Sequence, residues 1–187
     1  MDHGAVVVWL TGLSGAGKST IAALVAERMT ARAERVELLD GDVIRGLFPN
    51  TGFSMEERAA HVRRVGFLAS RLAHHGVSVI AALISPSSAS RAFVRNLCHG
   101  FIEVHVSTPI DVCERRDVKG LYARARRGEL RDFTGVDAPY ETPGSPEVTV
   151  DTTHMSVEDA VALVMDAIAR RRVATRSGVS APDGRRL

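Results

Sequence analysis

Lysine is nearly missing from this chain of 187 residues: only Lys18 and Lys119 occur, beside 22 arginines. A bias in gene composition would account for the skew. It still makes the two exceptions worth locating, because a compact ammonium and a planar guanidinium bind differently. Cysteine is equally scarce. Cys98 and Cys113 form no C-x-x-C pair, which argues against a disulfide framework and for reduced thiols in a cytoplasmic protein. No apolar run approaches the roughly 20 residues of a membrane span. Asp2 and the short apolar run before Gly12 do not make a secretory signal. The net charge of +2 is too small to imply a nucleic-acid polymer or a membrane surface as partner. No internal repeat is visible. What remains is an ordinary globular balance, 45% hydrophobic and 25% charged, long enough for one domain with its own core.

Strands and helices alternate along it. "AVVVWL" (5–10), "RVELLD" (35–40), "VSVIAALIS" (77–85), "FIEVHVS" (101–107) and "EVTVDT" (147–152) read as strands. Between them, "KSTIAALVAERMTARA" has helical spacing, and Ser54 with Glu57 forms a capping box opening a long helix. That helix carries an apolar stripe of Val62, Val65, Leu68, Ala69 and Leu72, with Arg58, Arg63 and Arg64 expected on its solvated face. A helix at 87–99 ends at Gly100, Pro109 opens another, and Ser156 caps a last one through about Arg172. Residues 117–147 are basic, then loop-like, and the polar tail 173–187 is expected to be disordered. His74 and His75 are adjacent, so they point apart and are expected to face solvent rather than hold a metal. The alternation predicts an α/β fold with a parallel sheet covered on both faces, and ligands at the carboxyl ends of its strands.

Three segments meet at that edge. Gly12, Leu13, Ser14, Gly15, Ala16, Gly17, Lys18 and Ser19 fit G-x-x-x-x-G-K-[ST] between a strand and a helix, and Thr20 follows. Such a loop wraps nucleotide phosphates with backbone N–H groups, sends its lysine to the β/γ-phosphates and its serine hydroxyl to Mg²⁺, so ATP and Mg²⁺ are the expected cofactors. "DGD" puts Asp40 and Asp42 beside it, to hold the metal or take a hydroxyl proton, although Asp-Gly is also common turn chemistry. The third strand ends in Ser85 with no acidic residue, which argues against a GTPase switch or motor. "KGLYARARRGELRDFTGVDAPYE" (119–141) reads as a basic lid that could bring arginines to the transferring phosphoryl group, or as a surface helix and loop.

"GLSGAGKST", "LDGDVIR", "RRVGFLAS", "ISP", "KGLYARARRGELRDFTGVDAPYE" and "SPE", in this order and spacing over roughly residues 4–170, together resemble the adenylylsulfate kinase (APS kinase) family. The resemblance implies a P-loop kinase fold with a five-stranded parallel sheet, one domain over 1–172 with a lid at about 117–147, and often a homodimer. It implies transfer of the ATP γ-phosphate to the 3′-hydroxyl of adenylylsulfate. By resemblance, Asp42, Lys18 and Ser85 would be catalytic, Ser85 matching a possible phosphoserine of the family. Asp40, Asp42, Arg45, Phe53, Arg58, His61, Ile84, Ser85, Lys119, Leu121 and Phe133 would meet the acceptor. Phe133 would stack on its base, Arg124, Arg126 and Arg127 would serve the lid, and Ser19 and Asp40 the metal.

The chain also departs from the family pattern. Val43 stands for an asparagine in "DGDN"; Glu57, Ala60 and His61 replace Asp, Glu and Asn; Ser87, Ser88 and Ser90 replace Tyr, Arg and Asp. The departures fall in segments expected to surround the acceptor, His61 at a family acceptor contact. Two alternatives follow: a kinase acting on another nucleotide or hydroxylated metabolite, and a nucleotide-binding module without catalysis.

Overall fold

The computed structural model describes residues 4–48 and 51–176. Its elements run β1 (Val7–Thr11), α1 (Lys18–Thr30), β2 (Val36–Asp40), α2 (Gly41–Leu47), α3 (Met55–His74), β3 (Ser78–Ala82), α4 (Ser88–Leu97), β4 (Phe101–Val106), α5 (Ile110–Arg116), α6 (Leu121–Arg126), β5 (Val148–Val150) and α7 (Val157–Arg176). The five strands form one sheet in the order β2-β3-β1-β4-β5, every pair parallel.

Side chains of β1 alternate between two cores, as a period of two requires. Val8 and Leu10 join Ile80, Ile102 and Val104 under α1 and α7, while Val7 and Trp9 join Val79, Ala81 and Phe101 under α3 and α4. Both faces are covered, so β1 is buried along its whole length.

The capping box is present: Ser54 Oγ accepts from Glu57 N at 3.2 Å, and Glu57 Oε2 accepts from Ser54 N at 3.0 Å. The buried line of α3 is Arg58, His61, Val62, Val65, Gly66 and Ala69. Leu68, expected on the stripe, is 39% exposed, whereas Arg58, expected in solvent, is 8% exposed. The helical line simply continues one turn further toward the N-terminus than its apolar residues do. His74 and His75 are exposed.

One helix escaped the sequence reading, and another, α6, lies in the segment read as either a lid or a surface helix. The side chain of Asp40 caps α2, so "DGD" starts a helix rather than ending in a turn. Asp117, at the end of α5, holds the first turn of α6, its carboxylate accepting from Tyr122 N at 3.0 Å and Ala123 N at 2.9 Å. The last helix runs on to Arg176, past the expected boundary at Arg172; the remainder of the tail, 177–187, lies outside the described residues.

An ionic cluster fastens the return from the lid to the sheet. Arg91 Nε pairs with Glu103 at 2.9 Å, and Arg95 bridges Glu103 (3.1 Å) and Glu147 (2.6 Å). Arg91 also donates to the carbonyls of Ser85 (2.7 Å) and Glu141 (2.6 Å).

Candidate active site

A cleft of about 800 Å³ opens at the carboxyl ends of β1, β2 and β3, between the glycine loop, α2, α3 and the segment 116–133. The loop is held by its carbonyls. Lys18 Nζ donates to Leu13 O (2.7 Å), Tyr122 Oη to Ser14 O (3.0 Å), and Thr108 and Thr152 hydroxyls to Ala16 O (3.1 and 3.0 Å). Thr108 and Thr152 lie off the cleft, so the Ala16 carbonyl turns away from it and the N–H of the same trans peptide, on Gly17, turns toward it. Gly17 caps α1 in the left-handed region, φ 102°. Burial lowers the Lys18 ammonium to about 8, against the pull of nearby Asp42 and Asp40.

The two carboxylates of "DGD" have different duties. Asp40 Oδ1 accepts from Asp42 N (2.8 Å) and Val43 N (3.3 Å), and its Oδ2 accepts from Ser19 Oγ at 3.2 Å. One oxygen thus fixes α2 and the other sits beside the metal-ready serine. Asp42 pairs with Lys119 Nζ at 2.5 Å across the cleft mouth. Burial would raise the Asp42 carboxyl, but the hydrogen bond and charge of Lys119 outweigh it and hold it below the usual range; Asp42 in turn raises Lys119. Both lysines of the chain therefore line this one cleft.

Its far end is aromatic and cationic. Arg45 and Arg58 lie over the Phe53 ring at 4.6 and 5.3 Å. Arg58 donates to Phe53 O and Asp132 O, each at 2.7 Å, joining α3 to the lid. Phe133, 7% exposed, meets Tyr122 edge-on at 5.0 Å and lines the cleft with Leu121 and Ile84.

Several expectations change. Ser85 borders the cleft, but it is 2% exposed and its Oγ accepts from Trp9 Nε1 at 2.9 Å. Its φ of 44° is strained for a serine, and its carbonyl is held by Arg91. This geometry shapes the strand end and does not present a nucleophile. Of Arg124, Arg126 and Arg127, the first lines the cleft, as does Arg131 further along the lid. Arg126 pairs with Glu114 (2.8 Å) and Arg127 with Glu129 (2.6 Å) on the outer surface. The departures scatter too. Ser87 caps α4, Ser88 bonds Glu141, and Val43 is 68% exposed. Among them only His61 lines the cleft.

Several cleft residues were missed, Tyr122 and Arg116 among them. Tyr122 ties lid to loop; it lies within "KGLYARARRGEL", but nothing local marks its contact 108 residues away. Arg116 lines the cleft and donates to Thr152 Oγ1 (2.7 Å) and Thr152 O (2.9 Å); it reads locally as one of many arginines.

A strand-loop-helix phosphate cradle at the edge of a parallel sheet, with a serine–aspartate pair beside it, defines the class: a P-loop phosphotransferase. The family model for adenylylsulphate kinase matches residues 4–151. An adenylyl-sulfate kinase of Synechococcus sp. (strain JA-3-3Ab) is 48% identical over 90% of this chain and 96% of that relative. The solved Mycobacterium tuberculosis APS kinase CysC, in complex with AMPPNP and APS, superposes with a TM-score of 0.84 at 41% identity, over 88% of this chain and 98% of its own. A hexameric APS kinase from Thiobacillus denitrificans superposes at 0.69 with 32% identity, over 90% of this chain and 29% of its own. The chain belongs to the adenylylsulfate kinase family, and is an ATP-dependent phosphotransferase with an alcohol acceptor. Among the described residues no helix is long and apolar enough to cross a membrane.

Proposed function

We propose that the chain transfers the γ-phosphate of MgATP to the 3′-hydroxyl of adenylylsulfate, giving 3′-phosphoadenylylsulfate, with the residues of this cleft in divided roles. One observation carries the assignment of roles: the carboxylates of Asp40 and Asp42 flank the loop, one joined to Ser19 and the other to Lys119. The donor end takes ATP phosphates on Gly12–Thr20, with Lys18 on the transferring group. Ser19 Oγ and Asp40 Oδ2 are hard oxygen donors that fit Mg²⁺, which usually takes one or two carboxylates and completes its shell with phosphate and water. Bound there, the ion would neutralise charge on the β- and γ-phosphates.

Asp42 faces the acceptor hydroxyl. Its carboxyl is held acidic, so it is a weak base. That suits a loose phosphoryl transfer, in which the hydroxyl needs orientation early and gives up its proton late. Lys119 keeps Asp42 ionised until the hydroxyl arrives. Phe53, Arg45, Arg58 and Phe133 hold the nucleotide, with Ile84 and Leu121 as cleft walls. Ser85 is a positioning residue, since its carbonyl and hydroxyl are both engaged within the protein.

A coupled assay of ADP release from MgATP with adenylylsulfate tests the reading. Turnover that depends on adenylylsulfate, and that Asp42→Ala lowers by about 10²–10⁴-fold with the ATP KM little changed, is expected. Equal or better turnover of another hydroxylated metabolite would move the acceptor. Tight ATP binding without transfer to either would leave a nucleotide-binding module.

We further infer one kinase domain, whose last helix runs to Arg176, acting as a cytoplasmic homodimer. Two free, buried cysteines suit a reducing compartment, and exposed Phe67, Phe93 and Leu97 on the adjoining helices α3 and α4 offer an apolar face to a second copy. Light scattering that gives a monomer mass, before and after Phe93→Glu, would remove the dimer.

A further inference from the structure

We propose that Asp137, which lies outside the cleft, is a positioning residue for the acceptor: its carboxylate closes the turn that sets the Phe133 ring in the cleft and the Asp132 carbonyl against Arg58. The proposal rests on the reading of the acceptor as adenylylsulfate, with Phe133 against its base.

Asp137 is exposed and does not line the cleft; it lines a separate cavity of about 600 Å³, with His105 and Tyr140. Its two oxygens reach back along the chain. Oδ2 accepts from Asp132 N at 2.9 Å and Oδ1 from Phe133 N at 2.6 Å. Asp132 is in the left-handed region, φ 57°, a conformation that turns successive N–H groups to one side and makes a seat for an anion. The Asp137 carboxylate fills that seat. The bonding is reciprocal, because Asp137 N donates to Phe133 O at 3.2 Å, joined there by Val136 N (3.0 Å) and Ala138 N (3.2 Å). Phe133 is thus held through the peptides on both its sides. A left-handed non-glycine residue is uncommon and persists where its surroundings hold it. The far side of the turn is fixed as well: a side chain on Gly135 would meet Ile110 Cδ1 at 3.0 Å and Leu13 Cδ2 at 3.1 Å.

This turn delivers two things to the aromatic end of the cleft. One is the buried Phe133 ring, edge-on to Tyr122. The other is the Asp132 carbonyl, which takes the Arg58 guanidinium at 2.7 Å while the same guanidinium lies over Phe53. The α3 wall and the lid wall therefore meet at a turn whose geometry one carboxylate sets. The phosphate loop is tied by other residues, Lys18, Tyr122, Thr108 and Thr152. Loosening the turn should weaken the hold on the acceptor and spare ATP.

The test measures kcat and both KM values in the wild type, Asp137→Ala, Asp137→Asn, Phe133→Leu and the double variant Asp137→Asn with Phe133→Leu, with thermal melts alongside. Asp137→Ala should raise the adenylylsulfate KM about tenfold and leave the ATP KM within about twofold, since bonds to a charged acceptor are worth a factor of that order. Asp137→Asn keeps one amide oxygen for one of the two N–H groups, and should raise the same KM about threefold to fivefold. Acting through the ring, the Asn change should add less than about twofold once Phe133 is leucine. Effects that multiply in full in the double variant overturn the proposal, as do two KM values that rise together. So does an adenylylsulfate KM that moves less than about twofold in Asp137→Asn. That variant is isosteric, so these outcomes decide even where Asp137→Ala fails to fold. If the wild type neither binds nor phosphorylates adenylylsulfate, the functional reading itself fails and takes this one with it; wild-type turnover with an acceptor KM indifferent to residue 137 removes this one alone.

Discussion

The donor and acceptor ends of one cleft are built by opposite means. At the donor end the working atoms are backbone N–H groups, set by a contiguous loop whose carbonyls are tied back at Leu13, Ser14 and Ala16. At the acceptor end they are side chains gathered from α2, α3 and the lid, held by bonds such as Arg58 to Asp132 over 74 positions and Lys119 to Asp42 over 77. A loop made of backbone tolerates few changes of conformation, whereas a wall made of side chains can be re-cut one residue at a time. His61 is such a cut, and the glycine loop carries none.

That contrast can be broken in graded steps. Lys18→Ala should have the largest effect, lowering kcat by about 10²–10³-fold, because a preorganised charge on the transferring group is lost; stopped-flow transfer in a single turnover would show whether chemistry is the step affected. The same residue gives a pH signature. Lys18 is lowered to about 8, and its protonated form is the one that binds phosphate. kcat/KM for ATP should therefore fall as pH rises through about 8, and the KM of the acceptor should not follow. Arg58→Ala should raise the acceptor KM by about tenfold to 100-fold and leave the ATP KM nearly fixed, since it removes two partly buried bonds and a ring contact. Equal effects on both substrates would erase the distinction between the two ends. Tyr122→Phe, which cuts the lid free of Ser14 O, should cost about 1 kcal/mol of stability and a few-fold in kcat, read by thermal melts and initial rates. Smallest of all, Arg127→Ala should change activity less than about twofold, because its exposed pair with Glu129 faces away from the cleft.

The same division decides how much could be read in advance. β1, the glycine loop and α1 were legible because strand period, glycine loop and helix period are all local. The capping box at Ser54 was legible for the same reason. α2 was not, because its cap is an aspartate followed by glycine, a pair equally at home in a turn. Arg58 looked like part of a solvated face by composition, yet helical geometry carries the buried line through it and on to His61. Ser85 matched a family position, but only its long-range partner Trp9, 76 residues away, shows that its hydroxyl is occupied. The lid arginines were indistinguishable by sequence; Glu114 draws Arg126 outward, while Glu129 pairs with both Arg124 and Arg127.

The scarcity of lysine makes the cleft chemically addressable. Both ε-amines of the chain sit there, Lys18 nearly covered and lowered to about 8, Lys119 open at the mouth beside Asp42. The 22 arginines stay protonated and do not acylate. An amine-directed ester can therefore reach only the α-amino group and these two positions, so the mass added beyond one α-amino label counts cleft amines. Nucleotide at the donor end should shield Lys18, and acceptor at the mouth should shield Lys119. Two substrates could be followed to their separate seats by weighing the protein.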